Sequence, residues 1–328
     1  MEKVGIMRGL RLVSALMLSA LILAGCAGTA APSPTATTAA KPAAATTAPA
    51  ALTSPAATKA PAATTASPAA PTAAAKPAAT SPVAPTEGSS SKELMVFAAA
   101  SLTESFNEMA TGFSAKAGGA KVTYNFGGSN QLRAQIEQGA RADVFASANE
   151  TEMNTLVKAG LVTATPSTFA KNRLVVITPK ANPGKIEKLQ DLAREGLKIV
   201  AAGPNVPVGG YMLQMLDKMS TDPAYDAGFK EKFMKNVISQ ETDVKQVVAK
   251  VQLGEGDAGV VYSTDVTTKV APDVRMIEVP DAYNVIAQYP IAPTRDAKEK
   301  ELGQAFVQYL LSNDGQQVMK KYNFAPAR

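Results

Sequence analysis

Glu93-Leu94-Met95-Val96-Phe97-Ala98-Ala99, followed at once by Ala100-Ser101-Leu102-Thr103-Glu104-Ser105-Phe106, is the stretch on which the fold turns. The first seven residues form an apolar run of strand length. Leu102, Phe106, Met109, Ala110 and Phe113 then recur three and four residues apart, the spacing of one helix face. A buried strand feeding directly into an amphipathic helix is the repeating unit of α/β architecture. The same alternation continues downstream. Strands are expected over 121–126, 142–146, 173–178, 198–202 and 258–262. Helices are expected around Leu132 and Ile136, stopping at Gly139, and over 151–159, 211–219, 244–253, 298–311 and 315–322.

Upstream of this alternation the composition changes abruptly. Residues 27–91 are almost all Ala, Thr, Pro and Ser, with Lys41, Lys59, Lys76 and Glu87 as the only charges and no aromatic residue. Such a stretch cannot bury enough apolar surface to offset the entropy of ordering it, so a disordered, semi-extended spacer is expected. Folding is left to residues 92–328, about 240 residues, enough for a substantial core. Ahead of the spacer stand Lys3, Arg8 and Arg11, a largely apolar run over 12–23, and Leu23-Ala24-Gly25-Cys26. Basic residues, a short apolar core and small residues before a cleavage point describe an export signal rather than a membrane span. Leu23-Ala24-Gly25-Cys26 resembles the lipobox of bacterial lipoproteins. That resemblance implies a signal peptide over 1–26, lipidation at Cys26 and an extracytoplasmic protein anchored to the cell membrane. Cys26 is the only cysteine, so stability has to come from packing without a disulfide.

The formal charge of +5 does not point to nucleic acid. Six of the 33 Lys and Arg and two of the 28 Asp and Glu precede residue 92, which leaves 27 and 26 in the folding part. No basic stripe with interleaved aromatic residues occurs there, so a nucleic-acid partner is not expected. The sequence contains no His. The usual nucleophile–base pairs and most transition-metal sites are therefore missing, and no phosphate loop of the Gly-x-x-x-x-Gly-Lys type is present. An enzyme is not expected, nor is a protein-bound metal.

What the sequence offers instead is a set of strand-to-helix junctions. Ser101 with Glu104 three residues on has the form of a capping box. Gly127-Gly128-Ser129-Asn130 offers Ser129 or Asn130 as a cap, with glycines that let backbone approach a ligand closely. Pro207-Val208-Gly209-Gly210 and Thr242-Asp243-Val244 are placed in the same way ahead of helices. A helix start presents unpaired N–H groups and the positive end of a dipole, which binds an anion without any charged side chain. Each junction taken alone is better explained as an ordinary cap, and Tyr262 alone as an ordinary buried tyrosine at a strand end.

Four stretches together carry a family resemblance: 96–103 (Val-Phe-Ala-Ala-Ala-Ser-Leu-Thr), 135–148 (Gln-Ile-Glu-Gln-Gly-Ala-Arg-Ala-Asp-Val-Phe-Ala-Ser-Ala), 206–211 (Val-Pro-Val-Gly-Gly-Tyr) and 259–265 (Gly-Val-Val-Tyr-Ser-Thr-Asp). In order and spacing the chain resembles the bacterial periplasmic molybdate-binding proteins, from about Leu94 to the Lys321-Tyr322-Asn323-Phe324 end. The resemblance implies an α/β, two-lobed, periplasmic-binding-protein-like fold of type 2 with two hinge crossings, preceded by the disordered spacer. The first lobe would be discontinuous, 92–174 and 283–328, and the second would span 175–282. It also implies oxyanion donors at Ser101, Ser129, Val208, Val244 and Tyr262, with the match at Ser129 loose enough for a one-residue shift. Arg141 stands where the family commonly has Pro, away from the expected site. The implied function is high-affinity capture of molybdate or tungstate and delivery to an ABC transporter permease, by a monomer with no cofactor. Another tetrahedral oxyanion, sulfate or phosphate, is the alternative ligand, because it would be held by the same donors. A ferric-ion binder would show adjacent tyrosines, which this chain lacks, and a purely structural surface lipoprotein would need no pocket.

Overall fold

The computed structural model describes residues 92–327; the export signal, Cys26 and the spacer lie outside the described residues. The first sheet contains β1 (Glu93–Ala99), β2 (Lys121–Gly127), β3 (Val144–Ala146), β4 (Ser167–Asn172), β10 (Ala287–Pro293) and β11 (Ala325–Pro326), in the order β11-β4-β10-β3-β1-β2. The second contains β5 (Leu174–Pro179), β6 (Ile199–Ala202), β7 (Val237–Glu241), β8 (Ala258–Tyr262) and β9 (Val274–Glu278), in the order β7-β6-β8-β5-β9. Helices α1 (Thr103–Lys116), α2 (Ser129–Glu137), α3 (Glu150–Lys158), α7 (Lys300–Leu311) and α8 (Asn313–Lys321) accompany the first sheet. Helices α4 (Pro207–Ser220), α5 (Phe229–Lys235) and α6 (Val244–Gln252) accompany the second.

The opening strand shows why its sequence is a continuous apolar run. Leu94, Val96 and Ala98 face a core that contains Phe106, Met109, Phe113 and Phe306, whereas Phe97 faces Leu132, Ile136, Phe145 and Met153 on the opposite side. A parallel strand covered on both faces needs apolar side chains at both parities. β1 pairs parallel with β2 from Glu93↔Lys121 to Ala99↔Gly127, and with β3 on its other edge. Aromatic edges fill the helix side, with Phe113 and Phe306 at 5.2 Å and 87°. Asp143, fully buried, accepts the Met95 N–H at 2.8 Å and the Lys298 and Glu299 N–H groups at 2.7 and 3.1 Å. The carboxylate of the 135–148 stretch thus ties β1 to the approach of α7.

The chain leaves the first sheet at Asn172, enters the second at Leu174 and returns between Glu278 and Ala287. Asn284 joins the two passages: its Oδ1 accepts the Leu174 N–H at 3.0 Å and its Nδ2 donates to the Leu174 carbonyl at 2.9 Å.

Three sequence expectations need correction at the helix starts. Ser101 does not cap α1: residues Ala100–Leu102 form a short 3-10 turn, α1 begins at Thr103, and no side chain caps it. The cap of α2 is Gly128, again without a side-chain cap bond, so neither Ser129 nor Asn130 has that task. α4 opens one turn earlier than expected, at Pro207, and takes Gly209 and Gly210 inside it. β4, β7, β9, β10, β11 and α5 were not anticipated. β10 is the instructive case, because Pro290 and Pro293 argue against a central strand. A register shift between Tyr289 and Pro290 accommodates the missing donor.

Candidate functional site

The C-terminal ends of β1 and β2 on the first sheet, and of β6, β7 and β8 on the second, lead into a small cavity. Open α/β sheets place ligands at this end of their strands, where loops enter the following helices. Ser101, Ser129, Val208, Val244 and Tyr262 all line the cavity, together with Ala148, Asp243 and the Gly127–Gly128 backbone. Asn130, the neighbour that shared the cap expectation, lines instead a wider adjoining groove of about 1140 Å³.

Each serine already has one hydrogen-bond partner in the protein. Ser129 Oγ accepts the Ala148 N–H at 3.0 Å, so its O–H is available to another acceptor. Ser101 Oγ lies 2.9 Å from the Tyr289 hydroxyl, which is fully buried behind it. The helix starts behave alike. In α4, Pro207 occupies the first position and has no N–H, so the first donor is Val208. In α6, the Asp243 carboxylate caps Lys245 N–H and Gln246 N–H at 2.8 and 3.1 Å, leaving the Val244 N–H to face the cavity.

Tyr262 ends β8 and is 1 % exposed. Its hydroxyl is buried and makes no hydrogen bond within the described protein. Burial, and then the neighbouring Tyr289, push its pKa well above the ordinary tyrosine value. It is therefore a permanent donor with nothing to donate to, and an orphaned buried hydroxyl at a cavity wall marks a place for an acceptor.

Two glycines permit the close approach of backbone that shapes the cavity. A Cβ on Gly128 would stand 2.3 Å from the Thr242 carbonyl oxygen, which belongs to the other sheet's loop. A Cβ on Gly209 would stand 2.1 Å from the Gly203 carbonyl oxygen, so α4 can start where it does only with glycine there.

No Lys or Arg lines the cavity. The nearby Lys245 is already committed: its ammonium lies 2.8 Å from a Glu104 oxygen and 3.3 Å from Asp265 Oδ1. Burial would lower the Lys245 pKa, but Asp265 and Glu104 outweigh it and raise it. Asp265 is fully buried and accepts the Tyr262 N–H at 3.1 Å; burial raises its pKa against the opposing pull of Lys245. The ion pair also ties α6 to α1, one on each sheet. Hydroxyls and helix-start N–H groups of this kind can hold an oxyanion without a cation. Among the described residues no group of three or more metal-ligating side chains occurs, and no helix is long and apolar enough to cross a membrane.

Sequence reasoning missed Tyr289 and Asn172, whose side chains lie behind the cavity. Asn172 donates to Tyr289 at 3.3 Å and to Thr264 Oγ1 at 2.7 Å. Tyr289 precedes a proline in a stretch without a strand pattern, and a lone Asn at a strand end carries no signal.

Residues 94–325 match the family described as bacterial extracellular solute-binding protein. The molybdate-binding protein ModA of Mycobacterium tuberculosis is 36 % identical over 244 residues, covering 74 % of this chain and 88 % of that protein. The Escherichia coli protein of the same name is 31 % identical over 239 residues, covering 71 % and 88 %. Among solved structures, the Azotobacter vinelandii periplasmic molybdate-binding protein superposes with a TM-score of 0.63 at 22 % identity, covering 72 % of this chain and all of that one, which shows the shared fold.

Proposed function

Because this chain belongs to the bacterial extracellular solute-binding proteins across residues 94–325, we infer that it captures molybdate outside the cytoplasm and delivers it to the permease of an ABC transporter. Its family binds solutes, and the Mycobacterium tuberculosis and Escherichia coli relatives are molybdate-binding proteins, so it is a binding protein rather than an enzyme. The anion is held by the hydroxyls of Ser101, Ser129 and Tyr262 and by the backbone N–H groups of Val208 and Val244. One observation carries this assignment: the buried Tyr262 hydroxyl, without a protein partner, at the wall of a cavity also lined by Ser101 and Ser129 and by the starts of two helices. Tungstate, of the same charge and shape, binds the same donors. Residues 92–174 and 283–328 form one lobe and 175–282 the other, closing over the anion. The protein acts as a monomer without a cofactor, held at the membrane by a lipid on Cys26, with residues 27–91 as the tether.

Titration calorimetry with molybdate, tungstate, sulfate and phosphate tests the ligand. Molybdate and tungstate bind and raise the melting temperature at concentrations far above their dissociation constants. Equal stabilisation by sulfate at the same concentration rejects molybdate as the cognate anion. For the tether, Cys26→Ser releases the protein from the membrane fraction or blocks its processing; unchanged retention with normal processing removes the lipid anchor.

A further inference from the structure

Behind the cavity wall a chain of buried polar side chains runs from the passage between the two sheets to Ser101. Asn172, 4 % exposed, is the last residue of β4. Its Oδ1 faces the Arg173 N–H at 2.9 Å, and a backbone N–H can only donate, so the amide orientation is fixed. Its Nδ2 therefore points at Thr264 Oγ1 and at the Tyr289 hydroxyl. An amide nitrogen can only donate, so the Tyr289 oxygen is an acceptor in that bond. The Tyr289 proton then has one acceptor within hydrogen-bond distance, Ser101 Oγ at 2.9 Å. With that lone pair occupied, the Ser101 proton is turned toward the cavity that Ser101 lines.

We propose that Asn172 and Tyr289 are positioning residues for the anion, forming a one-way hydrogen-bond relay, Asn172 to Tyr289 to Ser101, that holds the Ser101 hydroxyl as a donor to the bound oxyanion. This rests on the assignment of Ser101 as an anion donor. Neither Asn172 nor Tyr289 lines the cavity, so neither touches the anion itself. Without the relay, the Ser101 hydroxyl is free to rotate and donate to other oxygens, and the ligand must order it on binding. The relay also reaches Thr264 on the second sheet's side of the passage, so the donor is set by residues at the place where the chain changes sheets.

The test is a double-mutant cycle on molybdate affinity in the full chain. Tyr289→Phe keeps the ring and its packing and removes only the hydroxyl. In the wild-type background it weakens binding by about 3- to 10-fold, the range of one neutral hydrogen bond. In the Ser101→Ala background, where the relay has no terminus, it changes affinity by less than about 2-fold. Asn172→Asp is the second variant: a carboxylate accepts from Tyr289, reversing the chain and drawing the Ser101 proton inward. Its added charge repels the anion in either background, so the part of the loss that disappears with Ser101→Ala belongs to the relay. Equal losses for each variant in both backgrounds, or unchanged affinity in both, overturn the relay. If Ser101→Ala itself leaves molybdate affinity intact, the oxyanion site fails before the relay is in question. Melting of the empty variants reports folding separately from these affinities.

Discussion

Tyr262→Phe separates a ligand hydroxyl from an ordinary buried tyrosine, because the two roles differ in what they change. The Tyr262 hydroxyl lines the cavity and makes no hydrogen bond to another described residue by distance and angle. Phenylalanine keeps the ring against Tyr289, at 5.9 Å between centroids, and removes only that hydroxyl. The melting temperature of the empty variant therefore stays nearly unchanged. Binding does not. A hydrogen bond to a charged group is worth about 1.5–3 kcal/mol, so molybdate affinity drops by about 10- to 150-fold. Scanning calorimetry of the empty form and titration calorimetry with molybdate read the two effects independently. Unaltered affinity, or a clear fall in empty-state melting, refutes the donor role of Tyr262.

Three further outcomes follow from the same geometry. Gly128→Ala places a methyl group against the Thr242 carbonyl oxygen and forces the two loops apart; overpacking of about 1–3 kcal/mol weakens molybdate binding by about 5- to 150-fold, and unchanged affinity would show that this contact is not needed to hold the anion. Lys245→Met leaves the fully buried Asp265 without its cation and destabilises the protein by about 3–5 kcal/mol, whereas Lys245→Met with Asp265→Asn recovers most of the loss; additive losses in urea denaturation contradict the pairing. With no His in the chain, stability and affinity stay level between about pH 6 and 8. Burial raises the pKa of Tyr262 and Tyr289 above the ordinary value of 10.0 and pushes that of Tyr211 up to about 12. A raised folded-state pKa means that stability is fully present below pH 10 and is lost as the pH rises above it, because the unfolded chain releases those protons first. A melting temperature independent of pH across 9.5–12 would contradict that burial.

The regular elements around the site were legible because their side-chain periods are simple. β1 and β8 were expected over the residues they occupy, and α6 and α7 nearly so. Asp243 caps α6 as its position before Val244 suggests. Both serines line the cavity, but the capping that drew attention to them is not what holds them. Capping logic gave Ser101 and Ser129 to their own helices, yet one is held by Tyr289 and the other by Ala148, 188 and 19 residues away in sequence. β10 was hidden because its prolines imitate a loop and its bulge is a property of the pairing rather than of the residues.

The sequence by itself determined the alternating strands and helices, the near-neutral folding part, the absence of His and the junctions able to present backbone N–H groups to an anion. These are local properties, fixed by side-chain spacing and by which atoms a residue can donate or accept. Tertiary structure alone decided that the four junctions and Tyr262 meet in one cavity, that the Tyr262 hydroxyl has no hydrogen-bond partner in the protein there, and that Lys245 is neutralised by Glu104 and Asp265 instead of facing the ligand. It also decided which way the Ser101 proton points, because that direction depends on Tyr289 and Asn172, brought to it from elsewhere in the chain. Donor capacity is written in a residue's own atoms; whether the donor is spent on the protein or left for a ligand depends on what folding places within about 3 Å of it.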